Sequence, residues 1–388
     1  MATGELKIDA YDALSFLANG APLLDVRSPG EYSVAKLPNT LNCPILLNAE
    51  RDAVGTIYKK DGPNKAQELG HWLVSGETRQ LRIASWIKIA NAHRPCALFC
   101  ARGGLRSQLA QQWLLENGTA LPRVSGGYKA LRKILLQHLN PHALGIRMIL
   151  LTGKTGCGKT SILHELAPII PVLDLEGLAN HKGSAFGGVY GQQPAQAAFE
   201  NALAIALLRH KADQQSVLVE DESRMVGRIE LPDSFFEAMK IAPRIELVRP
   251  VEERVDILLE EYISFQLEAF TQYSNFEFLG SVSPFQMLRR ALVINLSKIQ
   301  KKLGGVRHGE MKKMVEQACL EHEHYANIDV HKKWMEMLLV WYYDPLYEKH
   351  LQKIRPLITD TIHPDELAEL LPRLSEIRTA RPLLTGNA

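Results

Sequence analysis

The stretch that decides the fold is Arg147-Met-Ile-Leu-Leu-Thr-Gly-Lys-Thr-Gly-Cys-Gly-Lys-Thr160. Arg147–Thr152 is an apolar run of strand length, and residues 159–167 carry a helical pattern. Between them, Gly153, Lys154, Thr155, Gly156, Cys157, Gly158, Lys159 and Thr160 satisfy G-x-x-x-x-G-K-[ST] at every fixed position. Strand, glycine-rich loop and helix come in the order that phosphate binding needs. Loop N–H groups would cradle a diphosphate, Lys159 would reach its oxygens, and Thr160 would hold Mg²⁺. Cys157 reads as a small filler. A second metal-directed carboxylate is expected at the end of another strand. Val217-Leu-Val-Glu-Asp-Glu222 supplies it, with Asp221 first and Glu220 and Glu222 as rivals. The plain alternative is three solvated carboxylates capping a strand.

Working outward, the chain has 388 residues, which at roughly 100–200 per domain predicts two or three domains. Apolar residues make up 46% and charged residues 23%, which excludes disordered, collagen-like and disulfide-scaffold classes. After the loop, strands at Val172–Leu175, 216–221 and Ile245–Val248 alternate with helices at 194–212 and 234–241. From Val251 onward the pattern predicts helices alone; Leu288, Leu292, Leu296, Ile299 and Leu303 form one stripe. Before the loop, strands at 22–26 and 96–100 alternate with helices at 64–90 and 104–117. The expected architecture is therefore α/β, with a parallel helix-covered sheet over 1–140, a phosphate-loop α/β domain over 141–250, and an α-helical region over 251–388. Residues 138–145 read as a linker, and the last ~30 as a short helix and loose tail.

A second chemical site sits in Phe99-Cys-Ala-Arg-Gly-Gly-Leu-Arg-Ser107, which follows a strand and opens a helix. Gly103 and Gly104 let the loop curl so that its N–H groups converge, and Arg102 and Arg106 add positive charge. A thiol at that mouth should be activated as a thiolate, so Cys100 reads as a nucleophile beside an anion cradle. A buried structural role fits Cys96 better than Cys100. The five cysteines, Cys43, Cys96, Cys100, Cys157 and Cys319, are odd in number and irregular in spacing, so no disulfide framework is expected.

The first half resembles a rhodanese (sulfurtransferase) domain over roughly residues 5–137. The resemblance rests on Leu24-Asp-Val-Arg27, Glu31-Tyr32, Leu37-Pro38, Asn42-Cys43-Pro44, the Cys100 loop and Gly126-Gly127-Tyr128. Two departures matter: Ala35-Lys-Leu-Pro38 replaces the family's frequent Gly-His-Ile-Pro, and the loop reads C-x5-R, one residue long. That longer loop resembles rhodanese-related phosphatases, so a ligand joining a chalcogen to a phosphate would suit it.

Joined to the phosphate-binding loop (P-loop), and with Asp174-Leu-Glu-Gly-Leu178, His181–Gly187, Glu220–Arg224 and Tyr342-Tyr-Asp-Pro-Leu-Tyr347, the chain resembles the tRNA 2-selenouridine synthase family from about residue 10 to 355. The resemblance implies a transferase that modifies the wobble uridine of tRNA. A 2-thiouridine is S-geranylated by geranyl diphosphate, and selenophosphate then supplies selenium to give 2-selenouridine. It implies that Cys100, with Arg102 and Arg106, carries selenium as a selenopersulfide, and that Lys159 serves the geranyl step. It also implies substrate-binding candidates Asp174, Glu176, His181, Lys182, Ser184 and Arg224, and selenophosphate synthetase as a donor partner. For His181, acid/base work, a phosphate contact and a plain surface histidine stay open.

Formal charge is only +2, but its distribution is uneven. Residues 289–313 carry Arg289, Arg290, Lys298, Lys301, Lys302, Arg307, Lys312 and Lys313 against Glu310 alone. The plain reading pairs them with the acidic 252–277 stretch; the resemblance makes them the first candidate tRNA surface, ahead of Lys129, Arg132 and Lys133. Trp341, Tyr342, Tyr343 and Tyr347 could stack on a base, though such clusters are more often core. No apolar run reaches the ~20 residues of a membrane span, and the N-terminus lacks a secretory pattern, so a cytoplasmic protein is expected. Competing classes are a P-loop ATPase or kinase fused to a persulfide carrier, and a non-enzymatic sensor; tight ATP turnover without isoprenoid binding would favour the former.

Overall fold

The computed structural model describes residues 6–184, 186, 192–213, 216–274, 282–366 and 372, with side chains at 211–213 and 273–274 undescribed. Ala185 and Gly187 of the 181–187 signature, and most of the expected tail, lie outside the described residues. The chain forms two compact units: Met1–Gly145 with Pro194–Asp213, and Ile146–Gln193 with Gln214–Ala388.

The first unit holds a parallel sheet of β1 (Lys7–Ile8), β2 (Leu23–Asp25), β3 (Thr40–Asn42), β4 (Ala97–Phe99) and β5 (Arg123–Val124), in the order β1-β5-β4-β2-β3. Its helices are α1 (Ala10–Ala18), α2 (Pro29–Val34), α3 (Asn48–Asp61), α4 (Pro63–Leu73), α5 (Gly76–His93), α6 (Leu105–Glu116) and α7 (Gly127–Gln137). Leu23, Leu24, Leu98 and Phe99 are fully buried, as expected of short strands covered on both faces. The Asp25-Val-Arg27 signature is a turn lock: Arg27 donates to Asp25 Oδ2 at 2.6 Å and lies 4.1 Å over the Tyr128 ring. The single helix expected over 64–90 is two helices, broken where Gly76 takes φ +50°. A further helix, α3, has no counterpart among the expected elements. It buries no residue, so it carries no apolar stripe for periodicity to find.

The second unit's sheet contains β6 (Arg147–Gly153), β7 (Val172–Leu173), β8 (Ser216–Glu220), β11 (Arg244–Leu247) and β12 (Ile358–Ile362), all parallel, in the order β12-β11-β6-β8-β7. A small hairpin, β9 (Met225–Val226) with β10 (Ile229–Glu230), precedes β11. Helices α8 (Lys159–Leu166), α9 (Leu175–Ala179), α10 (Gln196–Asp213) and α11 (Asp233–Ile241) fall between these strands in sequence. The expectation that strands end at Val251 fails. β12 pairs with β11, so 251–388 is not a separate helical domain; the chain leaves the sheet, builds a helical bundle and returns to its edge. Ile-Thr-Asp-Thr-Ile has too few apolar residues to announce a strand, because an edge position buries little of it. α10 is the other surprise. It sits in the first unit, where its buried Asn201 donates to Lys36 O (3.1 Å) and Tyr128 Oη (3.2 Å), and its Glu200 pairs with Arg132. Arg132, a second-rank tRNA candidate, is thus committed within its own unit.

The bundle comprises α12 (Val251–Leu259), α13 (Phe265–Ser274), α14 (Pro284–Leu303), α15 (Gly305–Tyr325), α16 (Lys332–Leu338) and α17 (Asp344–Ile354). Leu288, Leu292, Leu296, Ile299 and Leu303 are all buried, packing in one core with Leu258, Met311, Trp334 and Leu338. Two π-helical turns, Glu260–Ser264 and Leu339–Tyr343, interrupt it. No helix among the described residues is long and apolar enough to cross a membrane.

Candidate active sites

In the first unit, Cys100 leaves the carboxyl end of β4, where parallel sheets place their ligands. The loop carbonyls are tied back. Tyr128 N donates to Cys100 O (2.8 Å), Lys129 N to Ala101 O (3.0 Å) and Arg123 Nη1 to Gly103 O (2.9 Å). Among the described residues, the N–H groups of Ala101, Arg102, Gly103 and Gly104 donate to no protein acceptor. A loop with its carbonyls held and its amides free is an anion nest. Gly126-Gly127 makes this possible: a Cβ on Gly127, at φ +56°, would stand 2.2 Å from Cys100 O.

The Cys100 thiol lies 3.2 Å from Ser107 Oγ. Cys100 is buried at 3% exposure among the core residues of the first unit, and with Arg102 and Arg106 it lines a cavity of about 860 Å³ under α3 and α4. The charge picture needs correction. Arg106 is not a free cradle cation; it forms a two-pronged pair with Glu31, at 2.6 and 3.1 Å. Burial would raise the Glu31 carboxyl, but the hydrogen bonds and charge of Arg106 outweigh it and hold the pKa at about 2. Arg102 stays exposed. By contrast, burial pushes the Cys43 and Cys319 thiols up to about 12, which suits packing rather than reaction.

In the second unit the P-loop joins β6 to α8 as expected. Gly156 and Gly158 take φ +81° and +82°, and Lys159 Nζ donates to Gly153 O at 2.9 Å. Cys157 packs with Leu151 and Leu247, a filler. Two arginines hold the loop from behind. Arg254, 1% exposed, donates to Thr155 O (2.9 Å) and pairs with Asp344 (2.6 and 3.0 Å); Arg249 reaches Cys157 O (3.4 Å). Lys154 is drawn to Asp344 and Glu348.

Asp221, the first choice for the metal carboxylate, is already engaged by two basic side chains. It stands just past the end of β8 and is paired with Arg244 (3.1 Å) and His350 (3.3 Å). The rivals face the loop. Thr160 Oγ1 donates to Glu176 Oε2 (3.0 Å), Glu176 N donates to Glu220 Oε2 (3.2 Å), and Glu220 Oε1 is buried without a partner. Burial and the nearby Glu176 charge push the Glu220 and Glu222 carboxyls up. Burial would lower the Lys159 ammonium, but the neighbouring Cys157 and then Glu222, Glu176 and Glu220 hold it up. A crowded, orphaned carboxylate beside the P-loop threonine fits a divalent cation. No set of three or more His, Cys, Asp or Glu among the described residues is arranged to hold a metal, so phosphate oxygens and water would have to complete the shell.

A family model described as the tRNA 2-selenouridine synthase AAA domain matches residues 146–376. Curated tRNA 2-selenouridine synthases are similar over nearly the whole chain. That of Alcanivorax borkumensis is 38% identical, covering 90% of this chain and 94% of its own; that of Shewanella oneidensis is 41% identical, covering 89% and 90%. That of Nitrosomonas eutropha is 40% identical, covering 89% and 92%. The chain belongs to the tRNA 2-selenouridine synthase family.

The synthase signatures sort by position. Glu176 is at the P-loop. Asp174 caps α9 by accepting from Gly177 N (2.6 Å) and pairs with His164 (2.7 Å). Lys182 pairs with Glu261 (3.1 Å), and Ser184 accepts from Tyr262 Oη (2.7 Å), so both dock onto the first π turn. His181 has a buried Nδ1 without a partner, and burial, joined by the charge of Lys298, lowers its pKa on balance. Arg224 is not brought to the loop contacts; it is half exposed and paired with Glu230 (2.8 Å) and Asp233. Tyr342 and Tyr343 are buried in the bundle core, and Tyr347 donates to Glu246 (3.0 Å), so these three serve packing rather than a base platform. Arg254 and the α3–α4 roof were not legible as site parts, while Glu31 and Asp344 stood in the Glu31-Tyr32 and Tyr342–Tyr347 signatures without a role; the Ser28-x-x-Glu31 capping box holds Glu31 in place.

Proposed function

We propose that this chain converts 2-thiouridine to 2-selenouridine at the tRNA wobble position, through an S-geranyl intermediate, using geranyl diphosphate and selenophosphate. The reading that the first unit is a rhodanese-like carrier rests on the Cys100 nest and the Asp25–Arg27 turn lock. The observation that carries the proposal is the pairing of two anion-directed loops in one chain of this family, one centred on a thiol and the other on Lys159 and Thr160.

The division of work follows from the chemistry. In S-geranylation the uridine sulfur bonds to C1 of the prenyl group as the C–O bond breaks and diphosphate departs. Charge grows on the departing oxygens, and the P-loop amides with Lys159 are set to meet it. Thr160, Glu220 and Glu176 would hold Mg²⁺, which when bound supplies further charge for the diphosphate. In the exchange step, Cys100 and the nest amides handle selenophosphate, with Arg102 at the rim. S-geranylation makes the uridine sulfur a leaving thiolate, which is why a prenyl step precedes selenation. Selenophosphate synthetase is the proposed source of the donor. The tRNA would land on α14 and α15. All eight basic side chains of 289–313 are exposed there, and among the described residues none forms an ion pair. Three of the 252–277 carboxylates expected to neutralise them look elsewhere: Glu253 to Arg249, Asp256 to Lys332, Glu261 to Lys182.

The test is mass spectrometry of tRNA incubated with the protein, both co-substrates and Mg²⁺. Cys100→Ala keeps geranylation and loses selenation; Lys159→Ala loses geranylation but still selenates tRNA supplied already geranylated. Equal loss of both steps in both folded variants refutes the division.

A further inference from the structure

The cavity beside Cys100 is far roomier than a selenium donor needs, and its walls are mostly hydrocarbon. Ile45, Leu46, Val54, Ala66, Val74 and Leu109 supply the apolar part, and the Cys100 loop and polar groups such as Thr56, Lys59, Gln67 and His71 share the lining. The roof is unusual. α3 buries none of its residues and α4 only Ala66, so this helical hairpin covers a space rather than completing a core. Two of the arginines around the space are already matched, Arg106 by Glu31 and Arg51 by Asp52 at 3.6 Å, while Lys59 and Arg102 line it with no ion pair among the described residues. The anion-directed groups belong to the Cys100 loop and to Lys59, and beside them an uncharged apolar chain would find about 860 Å³, within the usual range of ligand pockets.

We propose that this cavity houses the geranyl chain of the S-geranylated uridine during selenium exchange, with the pyrimidine ring at the Cys100 end. The inference rests on the reading above and deepens it. The exchange balances without an oxidant. Selenium bonds to C2 of the base as the C2–S bond breaks, and the electron pair leaves with sulfur as geranyl thiolate. That thiolate takes a proton from water, and hydrolysis of the P–Se bond releases phosphate. Chain and leaving sulfur must then lie beside the selenium site, which is where the cavity is. The chain thus becomes a recognition handle: substrate that has not been prenylated cannot fill the pocket.

Trp113 lines the cavity, so its fluorescence reports occupancy in the full-length protein. Anticodon-stem RNA bearing S-geranyl-2-thiouridine should bind at least tenfold more tightly than the same RNA bearing S-methyl-2-thiouridine. Val54→Phe and Ala66→Phe, which fill the space without touching the reactive groups, should erase that difference and leave S-methyl binding unchanged. Leu109→Ala, which enlarges it, should tighten binding of an S-farnesyl RNA severalfold. Equal affinity for the two RNAs in the unaltered protein overturns the proposal, as does a geranyl preference untouched in all three folded variants. A separate arm adds selenophosphate to the geranylated RNA. If binding behaves as stated but no selenouridine forms, the exchange reading fails while the prenyl pocket stands.

Discussion

Arg254 shows how much of the second site depends on single buried groups. Its guanidinium bridges a P-loop carbonyl and the Asp344 carboxylate, and it is almost fully buried. Removing one partner of such a pair leaves an uncompensated charge in a low-dielectric interior, which costs about 3–5 kcal/mol. Asp344→Ala should therefore lower the unfolding free energy of its unit by about that much in urea, while Asp344→Ala combined with Arg254→Met should recover part of it. A double variant no more stable than the single would show that Asp344 acts by some route other than this pair. The same scale explains why Asp221 misled a reading from sequence. Three consecutive acidic residues run off the end of β8, and composition cannot say which of them face the loop. Only tertiary contacts separate them: Glu220 accepts from Glu176 N and Glu222 lies near Lys159, whereas Asp221 pairs with Arg244 and His350.

Among elements, the bundle contains a buried polar chain with a pH signature. Trp334 Nε1 donates to His331 Nδ1 at 3.0 Å, so the neutral ring carries its proton on Nε2, 3.2 Å from His322 Nδ1. Burial, and the neighbouring His322, lower the His331 pKa to about 4. Below its ordinary value of 6.5 the unfolded chain takes up a proton that the folded chain refuses. Stability from this group is complete above pH 6.5 and is lost as pH falls from 6.5 toward 4, by on the order of 3 kcal/mol. Urea midpoints measured across that window should slope downward with acidification, and His331→Leu should flatten the slope; an unchanged slope would remove the histidine from the account. The elements also mark where periodicity works. The 288–303 stripe was readable because α14 lies half in a core. α3 was not, because its inner face looks into a cavity, and β12 was not, because only its two end residues, Ile358 and Ile362, are apolar.

For the whole molecule, the exposed basic face of α14 and α15 is a statement about a polyanionic partner. Each phosphate neutralised releases counterions, so binding should weaken with a slope of roughly −0.7 to −0.9 per contact in log K against log salt. Lys301→Glu with Lys302→Glu should lower tRNA affinity and shrink that slope by roughly two contacts' worth, read by filter binding across a salt series; an unaltered slope would place the tRNA elsewhere. By itself the sequence determined the two loops, their flanking strands and helices, the parallel α/β class and the bundle stripe. These depend on residues near one another in the chain, where glycine conformations, charge spacing and apolar period are local facts. Tertiary structure alone decided that β12 closes the second sheet, that α10 belongs to the first unit, that Glu31 takes the charge of Arg106, and that a hydrocarbon-walled chamber stands beside Cys100. Each of those is a pairing or a void between segments distant in sequence, and neither a partner nor an empty space leaves a mark on the residues that flank it.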